Sequence, residues 1–250
     1  MLKINNLTHF YSNANQQKVP IFKNFNLEIK SGEIVALLGP SGCGKTTLVN
    51  IIAGYILPTS GEIIVNGLKT SNPGKDRVVI NQENDLFDWM TVYENMSLVS
   101  SSHQDVDKFL RLSGLHDFQL SYPGELSGGM KKRLSLARAL AVGSKFIIMD
   151  EPFGSIDYDL RQSLYREFLS IVREAGITVL IVTHDIDEAI FLSEYIVLLG
   201  QKPTRILNKF KVNFCYPRQN EIRQLPEFMN IQKVIIEGYG SSRSAIGNNS

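Results

Sequence analysis

The stretch EIVALLGPSGCGKTTLVNIIAG, from Glu33 to Gly54, leaves this chain few folds to choose from. It begins with a run that is apolar on both faces, which suits a buried strand of a parallel sheet. It ends with a helical pattern that stops at Gly54. Between the two, Gly39 to Thr46 reads GPSGCGKT and fits G-x-x-x-x-G-K-[ST]. Glycines let the backbone wrap closely and turn several N–H groups inward. A helix starting near Lys45 adds the positive end of its dipole. Gly39, Pro40, Ser41, Gly42, Cys43, Gly44, Lys45, Thr46 and Thr47 are therefore expected to cradle phosphates. Lys45 would reach the β- and γ-phosphates, and the Thr46 hydroxyl would ligate Mg²⁺. Cys43 lies inside this loop, so bound nucleotide is expected to shield its thiol from alkylation.

The rest of the chain fits around that unit. NFNLEIKSGEI and GEIIVNG alternate apolar and polar positions, as half-buried antiparallel strands do. KFIIMDE, ITVLIVTHD and EYIVLLG are continuous apolar runs, which suit a buried, mostly parallel sheet flanked by helices. YDLRQSLYREFLSIVREAG places Leu160, Leu164, Phe168, Ile171 and Val172 on one helical face and stops at Gly176. From about Glu83 to Ala141 no buried-strand run occurs, and the apolar spacing is helical (Val106, Phe109, Leu110; Met130, Leu134, Ala137, Ala141). The expected fold is α/β: a phosphate-loop core with a mostly parallel sheet, an N-terminal antiparallel β subdomain and a helical subdomain inserted at about residues 83–141. Residues 1–235 form this unit, and 236–250 are expected to be a disordered tail.

Composition narrows the function. A formal net charge of +1 gives no general attraction to nucleic acid or to an acidic membrane surface. Two widely spaced cysteines, Cys43 and Cys215, make neither a disulfide framework nor a metal cluster. The amino terminus, MLKINNLTHFYSN, lacks the apolar core of a signal peptide. The apolar runs are far shorter than the ~20 residues needed to cross a bilayer.

Four further stretches carry chemistry. KFIIMDEP ends a strand with two carboxylates: Asp150 is placed to hold Mg²⁺ through water, and Glu151 to orient or deprotonate an attacking water. Read without the phosphate loop, the same pair is a solvated acidic turn. VVINQENDLF puts Gln82 just past a strand, where an amide can ligate Mg²⁺ and touch the water; alone it is a surface glutamine. IVTHD ends a strand with His184, a possible donor to a γ-phosphate, while Asp185 offers a plain capping role. LSGGM places Ser127, Gly128 and Gly129 at the start of a helix, a second turn that can hold an anion. That turn has neither a lysine nor an acidic pair of its own.

The order of these pieces resembles the nucleotide-binding subunit of ATP-binding cassette (ABC) transporters, and the likeness runs over about residues 1–235. Other phosphate-loop proteins do not share the LSGGM motif ahead of the Asp-Glu pair. The resemblance implies that Tyr11 stacks on adenine and that His184 is the switch histidine. It also implies that Asp157, in GSID, lies in the loop that contacts a partner subunit. Two subunits would pack head to tail, each ATP lying between the phosphate loop of one and Ser127, Gly128 and Gly129 of the other. Met130 stands where the family usually has glutamine. With KKRLSLARAL behind it, this is similar to importers for nitrate, sulfonate, taurine and bicarbonate. NDLFDWMTVYENMSL, which contains Trp89, is similar to the segment where such a cassette docks its membrane subunit; the plainer alternative for an aromatic there is a core anchor. In one departure, Ser-Ile precedes Asp157 where Ala-Leu is commoner. The implied partners are a second cassette, usually a homodimer, integral membrane permease subunits docking near Gln82 to Trp89, and an extracytoplasmic substrate-binding protein. The implied place is peripheral, on the cytoplasmic side of the inner membrane, with no nucleic acid.

Two other readings compete. A soluble cassette ATPase acting on ribosomes usually carries two cassettes, and one acting on DNA carries long coiled coils; neither pattern is present. A small-molecule or nucleoside kinase would explain GPSGCGKT but not LSGGM or His184. No residue names the cargo.

Overall fold

The structure is a computed structural model that describes residues 1–12, 16–81, 86–100, 102–154 and 158–244, without the side chains of 159, 160 and 240–244. Its first half runs β1 (Leu2–Ser12), β2 (Lys18–Ile29), β3 (Ile34–Leu38), α1 (Lys45–Ala53), β4 (Ser60–Val65), β5 (Leu68–Thr70) and β6 (Val78–Ile80). There follow α2 (Val92–Ser97), α3 (His103–Leu112), α4 (Gly128–Ala141), β7 (Phe146–Asp150) and α5 (Tyr158–Glu174). The chain closes with β8 (Thr178–Thr183), α6 (Ile186–Leu192), β9 (Tyr195–Leu199), β10 (Ile206–Lys211) and α7 (Pro226–Ser244).

The strands form two sheets, as the sequence patterns imply. One is antiparallel in the order β2-β1-β4-β5; the other is β10-β9-β3-β8-β7-β6, parallel except for the edge strand β10. The strand β1 is less visible in the sequence. Its buried residues are Leu2 and Ile4, then Leu7 and His9. Asn6 takes a left-handed conformation (φ 49°), and the register with β2 shifts between Ile4 and Leu7. That bulge moves the inward face from even to odd positions, so period-2 alternation never runs long enough to register.

The parallel sheet is buried on both faces. Val35 and Leu37 of β3 pack with Leu48 and Ile52 of α1 and with Phe22, Phe25 and Ile29 of the antiparallel sheet. Across the sheet, Ile147, Ile181, Phe168 and Val172 pack together with Phe191. Each fully buried side chain of this size contributes about 1.5–3 kcal/mol. The inserted helices have a core of their own, built from Val92, Met96, Val106, Leu110, Leu134 and Ala137. They are joined to the main body where α4 packs on β6 and α5. Thr91 and Glu94 cap α2 reciprocally, Glu94 N–H to Thr91 Oγ1 at 3.2 Å and Thr91 N–H to Glu94 Oε2 at 2.7 Å.

The expected tail from residue 236 requires correction, because α7 continues to Ser244. Gly and Ser in this stretch suggest disorder, but Phe228, Ile235 and Tyr239 form a stripe that packs against Leu198 and Val212. Tertiary burial of that stripe overrides weak local propensity. Residues 245–250 lie outside the described residues.

Candidate nucleotide-binding site

The parallel register brings the separate motifs together. Leu38 pairs with Thr183, Val182 pairs with Asp150, and Met149 pairs with Ile80. The phosphate loop, His184 and the Asp150–Glu151 pair therefore leave the sheet at the carboxyl ends of adjacent strands. Ligands of open parallel sheets bind at that edge. Gln82 follows β6 closely, but it lies outside the described residues, as does Asp157.

The loop after β3 is shaped for phosphate. Gly42 (φ 75°) and Gly44 (φ 108°) take left-handed conformations. Gly44 is the N-cap of α1, and among the described residues no side chain caps it. The first amides of α1 thus keep their donors for a ligand, at the positive end of the helix dipole. A side chain on Gly44 would strain the backbone and press to 2.9 Å from Ile21. Lys45 is buried inside the loop, its Nζ donating to Gly39 O at 2.7 Å and Pro40 O at 3.1 Å. An uncapped helix start around a sequestered ammonium fits the triphosphate that the sequence implies.

Cys43 departs from expectation. Its side chain is 2% exposed and belongs to the core shared with Leu48 and Leu199. Burial pushes the thiol pKa up, against the lowering effect of Lys45. Only the backbone of Cys43 can serve a phosphate. A thiol so buried is expected to alkylate slowly with or without nucleotide, so labelling of Cys43 does not report on the loop. The Cys43 carbonyl accepts the Thr204 hydroxyl, a contact from the far end of the chain that no local pattern announces.

Thr46 and Asp150 are neighbours, and the Thr46 side chain favours the charged form of the carboxylate. Burial pushes Asp150 up; the Thr46 hydrogen bond opposes this, Glu151 adds to it, and Lys45 opposes it. A hydroxyl beside a carboxylate fits Mg²⁺, which prefers few protein oxygens and completes its shell with phosphate oxygens and water.

Glu151 is a non-glycine residue at φ 47°, a conformation costing about 1–3 kcal/mol. Its N–H is held by Val182 O at 2.8 Å. The bend turns the side chain toward the neighbouring strand end, where Oε1 meets His184 Nδ1 at 2.9 Å. His184 is exposed, and the residue after it caps α6: Asp185 Oδ1 accepts the Glu188 N–H at 3.0 Å. The capping role read for Asp185 is thus filled, and it leaves His184 free to meet Glu151.

Tyr11 lies near the end of β1, half exposed, edge-on to His9 at 5.0 Å. It pairs with Val19 on β2, the strand whose Ile21 and Phe22 approach Gly44. The aromatic therefore stands on the flank of the phosphate loop. Ser127 belongs to a different element. It caps α4, accepting the Met130 N–H at 3.3 Å, and α4 packs on α2, α3, β6 and α5. Ser127 and Gly128 are exposed, and Gly129 is buried.

Trp89 is 71% exposed, which excludes the core-anchor alternative. Its loop is nonetheless firmly held by Asn95, a residue with no distinguishing pattern in the sequence. Asn95 accepts Phe87 N–H at 3.0 Å and donates to the carbonyls of Phe87, Met90 and Thr91 at 3.1, 3.0 and 3.0 Å. Phe87 lies edge-on to Trp89 at 5.2 Å.

Known proteins agree with this geometry. The ABC transporter family model matches residues 22–154. The chain is 38% identical over 239 residues to the taurine import ATP-binding protein TauB of Roseobacter denitrificans, covering 91% of this chain and 89% of that protein. It is also 38% identical over 234 residues to the aliphatic sulfonates import ATP-binding protein SsuB of Bacillus cereus, covering 92% of each. Among solved structures it is similar to the dimeric post-hydrolysis state of the ATP-binding cassette MJ0796 bound to ADP and Pi. There the identity is 30% and the TM-score 0.73, over 86% of this chain and 100% of that one. With the phosphate loop, the Asp-Glu pair and the Ser-Gly-Gly turn all placed as described, this chain belongs to the ABC transporter family and is an ATP-binding cassette ATPase.

Proposed function

We propose that this chain is the ATP-hydrolysing subunit of an importer for a small substrate of the nitrate, sulfonate, taurine or bicarbonate kind. Two copies act head to tail, and each ATP lies between the phosphate loop of one and Ser127, Gly128 and Gly129 of the other. The observation that carries the shared site is the difference in setting of the two turns. The first wraps a buried Lys45 at the carboxyl end of β3; the second lies exposed at the start of α4 and has no lysine within it. The importer assignment rests on relatives named for taurine and sulfonate import. The match to a dimeric cassette supports the pairing.

In each site Lys45 and the α1 amides bind the phosphates, Tyr11 stacks on the adenine, and Asp157 contacts the partner. Thr46, Gln82 and Asp150 hold Mg²⁺, which when bound neutralises charge developing on the phosphate oxygens. Glu151 accepts the proton of the attacking water. His184 keeps that carboxylate aimed and offers a donor toward the γ-phosphate. Among the described residues no helix is long and apolar enough to cross a membrane. The pore accordingly belongs to separate permease subunits, docked near Gln82 to Trp89, with an extracytoplasmic binding protein delivering substrate. The cassette sits peripherally on the cytoplasmic face of the inner membrane and needs no nucleic acid.

Subunit mixing tests the shared site. Lys45→Ala and Ser127→Arg are each expected to be inactive. Mixed dimers contain one site with both defects and one with neither, so activity returns on mixing. In a Glu151→Gln, otherwise cysteine-free protein, cysteines placed at Ser41 and Ser127 are expected to crosslink between subunits when ATP is added. The absence of both rescue and crosslinking would show that each chain works alone.

A further inference from the structure

Glu188 lies in the first turn of α6, soon after His184, and is 2% exposed. Its Oε2 accepts the Tyr165 hydroxyl at 3.2 Å. The Glu188 N–H donates to Asp185 Oδ1 at 3.0 Å, and Thr183 Oγ1 in turn accepts the Asp185 N–H at 3.0 Å. Among the described residues Oε1 finds no partner, although it is buried. An apolar side chain would fill this place without the unfavourable desolvation of an acid.

The contacts close a ring through the catalytic groups. From Glu151 the chain passes Pro152 to Phe153, whose ring meets Tyr165 edge-on at 5.0 Å. Tyr165 reaches Glu188, and Glu188 reaches Thr183 through Asp185. His184 follows Thr183 and returns to Glu151 through its 2.9 Å contact. Phe153 and Tyr165 are buried, so this arc of the ring cannot relax into solvent. Thr183 has its backbone in β8 and its side chain tied to α6. The direction in which His184 leaves the strand therefore depends on how Glu188, with its amide on Asp185 and its carboxyl on Tyr165, anchors the first turn of α6.

We propose that Glu188, held by Tyr165, is a positioning residue for ATP hydrolysis that fixes the strand-to-helix turn presenting His184 to Glu151. This rests on His184 and Glu151 being the hydrolytic pair.

The surroundings give the brace a pH signature. Tyr165 and Arg161 face Glu188 from α5, Thr183 from β8 and Asp185 from the turn. Arg161 is already engaged by Asp185 at 3.4 Å. Toward β3 and α7 the helix turns apolar residues, Ala189 and Ile190, onto Leu38, Phe228 and Ile235, while Asp187 meets Gln232. Burial, reinforced by Asp185, pushes the Glu188 carboxyl up to about 8. Between the ordinary carboxylate range and that value, the folded state keeps a proton that the unfolded chain has released. Stability therefore falls as pH rises through this window and levels off above it. Above it the charge on a buried, ionised Glu188 draws the carboxylate toward water, which loosens the turn, and turnover declines.

The test measures kcat, KM and ATP affinity from about pH 6 to about 10, on both sides of the Glu188 transition. Glu188→Ala and Tyr165→Phe are expected to lower kcat by about 10-fold, as small misplacements of catalytic groups do, with ATP affinity unchanged. Tyr165→Phe keeps the ring against Phe153 and Phe191, so it tests the hydroxyl in a packed protein. Glu188→Gln is neutral at every pH; it should keep the parent's kcat near neutrality and lose the alkaline decline. If these variants move only the melting temperature, with kcat and pH profile as in the parent, Glu188 is a packing residue. A parent profile flat above about pH 8 overturns the brace as well. Glu151→Gln measured alongside separates the two ideas. Near-parent turnover there removes the catalytic pair, whereas loss of turnover beside unaltered Glu188 and Tyr165 variants overturns the brace alone.

Discussion

The phosphate loop and the Ser127 turn both open a helix after a glycine-rich bend, yet one is built inward and the other outward. At the first, Gly44 leaves the amides of α1 without a side-chain cap. At the second, Ser127 caps α4 with its own hydroxyl. Lys45 is drawn under its loop by Gly39 and Pro40, whereas Lys132 of α4 turns away to donate to Asn81 O at 3.3 Å. A Cβ on Gly44 would meet Ile21 at 2.9 Å, while one on Gly128 would meet nothing within 4 Å. The same local chemistry thus yields a phosphate cradle around a buried lysine in one place and an exposed, capped helix start in the other. The difference lies in what packs around each turn.

The largest effect is expected where both turns serve one reaction. Glu151→Gln should slow hydrolysis by about 10²–10⁴-fold, the contribution of a positioned base. ATP binding should survive, and ATP should hold the protein as a dimer. Single-turnover rates and gel filtration read both, and a near-parent rate would take Glu151 out of its role.

Next come changes that should divide the two turns. Lys45→Ala removes charge-assisted contacts with the phosphates and should weaken ATP binding by about 10–100-fold. Ser127→Arg should leave ATP binding by the monomer unaltered while abolishing turnover. Equal losses of affinity in equilibrium binding would erase the distinction between cradle and half-site.

A finer test compares their glycines. Gly44→Ala is forced into a left-handed conformation against Ile21 and should cost about 1–3 kcal/mol in denaturant unfolding. Gly128→Ala, with open space around it, should change stability by no more than about 0.5 kcal/mol. Its damage should appear only in turnover, where the partner's nucleotide must approach the backbone. Comparable destabilisation by both would mean that the Ser127 turn is as embedded as the loop.

The smallest effect belongs to a third outward feature. Trp89→Ala should alter stability by no more than about 0.5 kcal/mol, because the ring is mostly exposed. Basal hydrolysis should persist while assembly with the permease weakens. Unchanged assembly in a co-purification would place the docking surface elsewhere.

Motifs whose residues are contiguous are legible in the sequence itself. GPSGCGKT, the Asp-Glu pair, LSGGM and His184 each sit at the end of a readable strand or the start of a readable helix. Strand β1 is harder to read, since the bulge at Asn6 breaks its alternation. The end of α7 is hidden, because its composition suggests a tail while its apolar stripe finds a surface. Cys43 has the sequence position of a residue on the nucleotide face, yet its thiol is turned into the core. Asn95 and Glu188 give no signal, because a polar residue in a helix is ordinary until its burial and partners are known.

Sequence alone thus settles the kind of chemistry and the kind of scaffold. Buried strand, glycine turn and helix start are local consequences of residue type, and their order identifies the cassette. Tertiary structure decides which groups meet. The parallel register of β3, β8 and β7 brings Lys45, His184, Asp150 and Glu151 to one edge, although their positions in the chain are far apart. The positive φ of Glu151 and the Tyr165–Glu188 contact then set how two of those groups face each other. Such relations depend on distances between elements distant in sequence, and no local pattern of residues encodes them.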